Sequence, residues 1–279
     1  MADPVYALVA AFIWAVSPIY YRGFLADFDA LSFNFFRTST GALVLLVPAI
    51  YYWGLPGIGF AALSGVTALA CGDTLFLLSI REAGASVAAP VVYTYVLMVQ
   101  VVGAAFGQAI PYTNFAASLM VVAGVYVLSK GGGGNPRGKG IAFALAAALF
   151  WTVGQGFVQL STSAGGSVVE VTFMRDASAA AALGLAFLLA RGRRRITHGL
   201  GLRGYGVMAA VTVSDLVAGS ALFVYSVSTL GVALTVILTS LSPALTQTLA
   251  RALGKESPSG RDLAGGALIV AALILAVAI

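Results

Sequence analysis

The stretch Lys130-Gly-Gly-Gly-Gly-Asn-Pro-Arg-Gly-Lys139 decides the fold, because it divides an otherwise apolar chain into two parts of similar length. Its four consecutive glycines make it a flexible linker. On either side, the composition belongs to a protein dissolved in lipid. Of the 279 residues 60% are hydrophobic and 9% charged, and mean hydropathy is +0.98. A domain facing water carries about a quarter charged residues. So few charges cannot cover a surface in water, so lipid must face most of this one. The 33 glycines suit helices that approach one another closely through small residues. Cys71 is the only cysteine, which excludes an intramolecular disulfide.

Outward from the linker, apolar stretches of about 17–25 residues, the length that crosses a bilayer as a helix, fall at 5–22, 30–53, 58–80, 83–105 and 111–129. A second set falls at 140–159, 168–190, 204–227, 231–252 and 261–279. Turn residues mark the breaks: Asp27-Phe28-Asp29, Gly54-Leu55-Pro56-Gly57, Ile110-Pro111 and Ser257-Pro258-Ser259-Gly260. The stretch 5–22 lacks a basic flank and is interrupted by Trp14, Ser17 and Pro18, so it reads as a retained helix, not a cleaved signal. The expected fold is therefore all-α and polytopic, with ten transmembrane helices. Of the fifteen Lys and Arg residues, thirteen lie in or beside the odd-numbered loops, and Arg37 and Arg175 lie within spans. The positive-inside rule then places odd loops in the cytoplasm and both termini outside, in the plasma (inner) membrane.

The two sets repeat each other. Trp151 lies 137 residues after Trp14, and Arg175 lies 138 after Arg37. At a single shift of 147, Gly72, Gly84, Gln100 and Gly107 match Gly219, Gly231, Gln247 and Gly254. The basic loop Arg191-Gly-Arg-Arg-Arg-Ile-Thr-His-Gly199 has room for the change of shift. The domains are then 1–130, a linker at 131–139, and 140–279. Five spans per half oblige the halves to insert in opposite directions. Inverted repeats of this kind recur in secondary transporters, with the solute site near the midplane.

The chain resembles the drug/metabolite transporter superfamily, and within it the ten-helix EamA-type permeases. The resemblance rests on Phe12-Ile13-Trp14, Phe35-Phe36-Arg37, Phe150-Trp151, Phe173-Met174-Arg175, Ser242-Pro243 and Gly254-Lys255-Glu256. It implies secondary transport of small metabolites, often amino-acid export, through a cavity lined by spans one, three, four, six, eight and nine. The chain departs from the family pattern at Gly107-Gln108, where Gly-Glu is usual, and at Pro90, about two turns before the position that matches Pro243.

Charges inside hydrocarbon cost about 2.5–3.5 kcal/mol each on insertion scales, so embedded ones should face the bundle interior. Five are embedded: Arg37, Asp73, Arg175, Asp176 and Asp215. Arg37 and Asp73 share a depth of about 10 Å, from about seven residues at 1.5 Å each, and are expected to pair. The pair is either a structural clamp or a gate. The exchange Arg37→Asp with Asp73→Arg is expected to restore function lost in the single changes. Asp215, near mid-membrane, is the expected site of proton coupling, unless Arg175 or a neighbouring hydroxyl holds it. Arg175 and Asp176, one residue apart, diverge by about 100° and should not face each other.

The solute site is expected from Trp14, Phe76, Tyr93, Gln100, Trp151, Gln155, Thr239, Ser242 and Gln247. Aromatic rings would hold the apolar part of a solute, and amides and hydroxyls the polar part. Some of these hydroxyls serve only to join helices. Pro90 and Pro243 remove backbone donors and are expected to kink spans four and nine at the hinge between halves. No Gly-x-x-x-x-Gly-Lys motif is present, and His198 is the only histidine, so neither a P-loop ATPase module nor a histidine metal site is expected. No catalytic residue, metal or cofactor is expected, and no nucleic-acid partner; the partners are a small-molecule substrate and membrane lipid. Ten spans can enclose a cavity as a monomer. Two other readings stand beside a metabolite carrier: an organic-anion or phosphorylated-metabolite exchanger using Arg37 and Arg175, and an intramembrane enzyme or scaffold.

Overall fold

The computed structural model describes residues 4–51, 56–83, 88, 91–129, 138–189, 200–252 and 260–277. These residues are all-helical in architecture. With no water in a hydrocarbon core, a helix satisfies its own backbone polar groups. The elements are α1 (Val5–Asp27), α2 (Ala30–Tyr51), α3 (58–83), α4 (Tyr95–Ala105), α5 (Tyr112–Ser129), α6 (Gly138–Ser163), α7 (Val168–Leu189), α8 (Leu202–Leu230), α9 (Val232–Thr239 and Ser242–Ala252) and α10 (Gly260–Val277). Six of them, α1, α2, α3, α6, α7 and α8, are long and apolar enough to cross a membrane; α4, α5, α9 and α10 contain shorter apolar runs.

Polarity is inside out, as lipid requires. Leu43, Val47, Ile50, Leu188, Leu189 and Ile274 are each more than 60% exposed, while Asn34, Gln100, Glu170 and Asp176 are buried to within 1%. Helix starts are capped locally. The Asp29 carboxylate accepts the backbone N–H groups of Leu31 and Ser32, both at 3.1 Å, at the head of α2. At the head of α7, the Ser167 hydroxyl donates to Glu170 at 3.0 Å and accepts the Glu170 N–H at 3.3 Å.

The halves are interleaved. Helix α2 packs on α7, and α5 on α10. Exchanging α1 with α6, α2 with α7, and so on, turns the contact α3·α6 into α8·α1. The same exchange turns α3·α7 into α8·α2 and α4·α6 into α9·α1, and all of these contacts are made. Close approach comes from small residues: Gly124 in α5 lies against the Gly265 carbonyl and Ile269 of α10, and Gly154 in α6 against Ala68 of α3.

Two departures from simple helices were not visible in the apolar pattern. Both α3 and α8 contain a π-helical segment, Gly65–Gly72 in one and Val213–Gly219 in the other. The span expected as one helix at 231–252 is instead two helices, with a turn at Ser240–Leu241. In the fourth span, a turn at Tyr93–Thr94 precedes α4.

Candidate functional site

Arg37 is the hub of a buried polar network. Its side chain leaves the middle of α2, and its Nη2 meets Asp215 Oδ2 of α8 at 2.6 Å while Nη1 meets Asp73 Oδ2 of α3 at 3.3 Å. Nη1 also donates to Asn34 Oδ1 at 3.3 Å, one turn back on α2. The Tyr21 hydroxyl donates to the same Asp215 oxygen at 2.6 Å, and its ring lies 4.7 Å beneath the guanidinium carbon. Trp151 Nε1 donates to the other oxygen of Asp73 at 3.0 Å. Both carboxylates are thus held by charge-assisted bonds, the strong class, and the network ties α1, α2, α3, α6 and α8 together.

The two π segments explain how these side chains arrive there. A π turn advances the backbone by one residue and takes carbonyls off the α-helical ladder. In α3 the Leu69 carbonyl accepts Asn34 Nδ2 at 2.7 Å. In α8 the Asp215 carbonyl accepts Trp14 Nε1 at 3.3 Å. Each segment ends on a glycine that admits a tryptophan from the other half: a Cβ at Gly72 would strike Trp151, and one at Gly219 would strike Trp14. Adding 147 to 65–72 gives 212–219, so the segments recur at the shift that also matches Gly72 with Gly219. The breaks obey it too, since Tyr93–Thr94 moves onto Ser240–Leu241. Thr94 donates to the Val91 carbonyl at 2.6 Å and Ser240 to the Ile237 carbonyl at 2.5 Å, closing each turn locally.

Around the network lies an aromatic cluster. Trp151 is 5.2 Å from Phe76 and 5.4 Å from Tyr95, and Tyr93 lies 6.0 Å from Tyr95. Trp14 is 5.4 Å from Phe223, whose ring lies 6.0 Å from the Arg175 guanidinium. Trp14, Phe76, Tyr93 and Trp151 are half-buried, and the Asp73 side chain is 16% exposed.

The remaining expected residues divide. Gln100 is buried, with its amide nitrogen on the Val96 and Ala233 carbonyls at 3.1 and 3.2 Å, joining α4 to α9. Thr239 and Ser242 are buried at the α9 break; Ser242 donates to the Ala11 carbonyl of α1 at 2.8 Å. Gln155 is buried in α6, and its carbonyl oxygen has no hydrogen-bond partner among the described residues. Pro90 and the Gln247 side chain lie outside the described residues. Pro243 is the second residue of Ser242–Ala252, directly after the turn at Ser240–Leu241, so span nine is broken beside it.

Of the two partners expected for Asp215, the structure shows a neighbouring hydroxyl, that of Tyr21, and not Arg175; Arg37 holds it as well, reaching across from α2. The Arg37–Asp73 contact is present but is half of a three-charge arrangement, so exchanging those two residues would set an aspartate at position 37 against Asp215. Arg175 and Asp176 are buried differently. Arg175 Nε and Nη1 and both Asp176 oxygens lack hydrogen-bond partners among the described residues.

Sequence reasoning missed a glutamine junction at one end of the bundle. Gln108 Nε2 donates to Gln159 Oε1 at 2.8 Å, and that oxygen accepts the Val232 N–H at 2.9 Å, where α9 begins. Gly231, at φ +80°, lies against the Gln108 side chain. Gln108 is the residue that departs from the Gly-Glu pattern, and a neutral amide both donates and accepts there.

Comparisons with known proteins agree with this architecture. A family model described as the EamA-like transporter family matches residues 4–130 and again residues 138–278. An uncharacterized transporter of Archaeoglobus fulgidus is 26% identical over 161 residues, or 55% of this chain and 57% of that relative. The match therefore spans little more than half of the relative's length. A protein of known crystal structure superposes with a TM-score of 0.80, covering 98% of this chain and 96% of its own, at 18% identity. At that identity the likeness is one of fold.

Proposed function

The chain belongs to the EamA-like transporter family, a membrane transporter and not an enzyme, and from that premise we propose that it is a secondary carrier for a small amphipathic metabolite, amino acids first, working by alternating access. The shorter helices α4, α5, α9 and α10 are taken as spans as well, giving ten spans and two five-helix halves of opposite orientation. The observation that carries the reading is the recurrence of both helix defects at one sequence shift. Two π segments and two helix breaks occupy equivalent places in the halves, and each π segment is docked by the other half's tryptophan. Equivalent defects in opposed halves give inward and outward states of similar energy, which alternating access requires.

In this mechanism the halves rock about the breaks at Tyr93–Thr94 and Ser240–Leu241. Trp14, Phe76, Tyr93 and Trp151 receive the apolar part of the solute, and the partly exposed Asp73 offers a negative charge to an ammonium group. The Arg37 network holds α2, α3 and α8 in register. The junction of Gln108, Gln159 and the start of α9 closes one end of the path.

The test is counterflow in proteoliposomes preloaded with unlabelled solute, with a panel of labelled amino acids, organic anions and nucleosides. Transient accumulation of a labelled amino acid is expected. Exchange confined to organic anions would favour the second reading, which the unpartnered nitrogens of buried Arg175 support. No exchange with any member would sink the carrier assignment.

A further inference from the structure

We propose that Asp176 is the proton-binding site of the carrier, a carboxyl group that is neutral in the state described here. The inference rests on the carrier reading only for what the proton does, not for where it sits.

Asp176 is fully buried in α7, and neither of its oxygens has a hydrogen-bond partner among the described residues. Its Oδ2 packs against the bare Cα of Gly41 in α2, beside Leu216 of α8. Gly41 is one helical turn from Arg37, so the carboxyl group lies beside the Arg37 network without joining it. An ionised carboxylate with no donor, shut away from water, is the least tolerable buried group, and such a group takes up a proton instead.

Charge counting agrees. The charged groups acting on Asp176 are Arg175 on its own helix, Arg37 from α2, Asp215 from α8 and Asp73 from α3. Glu170, about a turn and a half nearer the start of α7, is bonded to Ser167. The central set thus holds two guanidiniums and three carboxyl groups, an excess of one negative charge if all are ionised. One proton removes the excess. Asp215 and Asp73 accept hydrogen bonds from Arg37, Tyr21 and Trp151, which leaves Asp176 as the acid of this set with no hydrogen-bond donor among the described residues.

A metal cation fits less well. It needs several oxygen ligands, and no group of three or more His, Cys, Asp or Glu residues suited to a metal occurs among the described residues. The guanidiniums of Arg37 and Arg175 would also repel it. A proton needs one oxygen.

In transport, movement of α7 against α2 brings Asp176 toward Arg37, one turn away. There its carboxyl group can pass the proton to water admitted on the side then open, and the carboxylate left behind competes with Asp215 for the guanidinium, coupling proton release to the change of state.

The experiment is infrared spectroscopy of the full-length protein reconstituted in lipid, which needs no transported solute and so stands or falls apart from the counterflow result. At neutral pH in choline chloride, the wild type is expected to show a carboxylic-acid C=O band that shifts in deuterated buffer and disappears reversibly as pH rises. The band should be absent in Asp176→Asn and kept in Asp73→Asn. If Asp176→Asn does not fold, Asp176→Glu is read instead and should move the band. Absence of the band in the wild type, or a band unchanged by both substitutions at 176, would overturn the proposal. So would loss of the band on replacing choline by sodium, which would assign the site to a metal cation.

Discussion

At the residue scale, Arg37 carries the centre of the molecule. It pairs with two carboxylates, Asp215 and Asp73, and removing one partner from a buried ion pair costs about 3–5 kcal/mol. Arg37→Gln is therefore expected to lower thermal stability in detergent more than any other single change in the network. Asp215→Asn should come next, because it breaks a 2.6 Å bond to Arg37 and another to Tyr21. Asp73→Asn should be mildest, since its contact with Arg37 is 3.3 Å and its side chain reaches solvent in part. Melting curves for the three proteins give the order, and a Tm for Asp73→Asn below that of Arg37→Gln would refute it. The double change Arg37→Asp with Asp73→Arg is expected not to restore function, because Asp215 would then face an aspartate. The contact of Arg37 with Asp73 was legible from a shared depth. The contact with Asp215 was not, because depth places residues along a helix but does not say which neighbours converge around it.

At the element scale, the π segments decide which residues face inward. Glycine at 72 and 219 is required by a tryptophan ring that occupies the place of a Cβ, and overfilling a packed interior costs about 1–3 kcal/mol. Gly72→Ala and Gly219→Ala should each lower stability by that order, and each should change the fluorescence of one tryptophan, Trp151 or Trp14. A silent result for either would separate that glycine from its ring. Pro243→Ala makes the opposite expectation. The equivalent break at Tyr93–Thr94 forms with Val96 in the place of Pro243, so the turn at Ser240–Leu241 does not depend on proline. Pro243→Ala should keep counterflow and change stability by less than about 1 kcal/mol, since proline in a first helical turn is tolerated, not required. Loss of exchange would show that proline does set the hinge. The apolar runs indicated helices and their approximate ends. A π turn leaves hydropathy unchanged, so neither segment was visible in the same pattern, although the matched glycines at 72 and 219 marked where they end.

At the scale of the whole molecule, the halves share their interior. Helix α2 packs on α7, α3 on α6 and α7, and α1 on α8 and α9, so neither half buries its polar residues alone. Residues 1–130 and 138–279 expressed separately are each expected to be degraded or to aggregate. Coexpressed without the linker, they should copurify as one particle and regain exchange. A single half that proves stable and monodisperse would contradict this interleaving. The family model matches the chain in two stretches, residues 4–130 and 138–278.

Composition and periodicity by themselves determined that this chain is helical, that it lives in lipid, that it is doubled, and that Arg37, Arg175, Asp176 and Asp215 are buried; they did not single out Glu170, which is buried too. Those properties follow from water excluding apolar residues and from the cost of placing charge in hydrocarbon, and both act residue by residue along the chain. Only the tertiary structure decided how the charges are apportioned: Arg37 to two acids from different halves, Asp176 to none. That choice depends on which helices touch and on the one-residue advance of a π turn, and both are set by packing between distant segments.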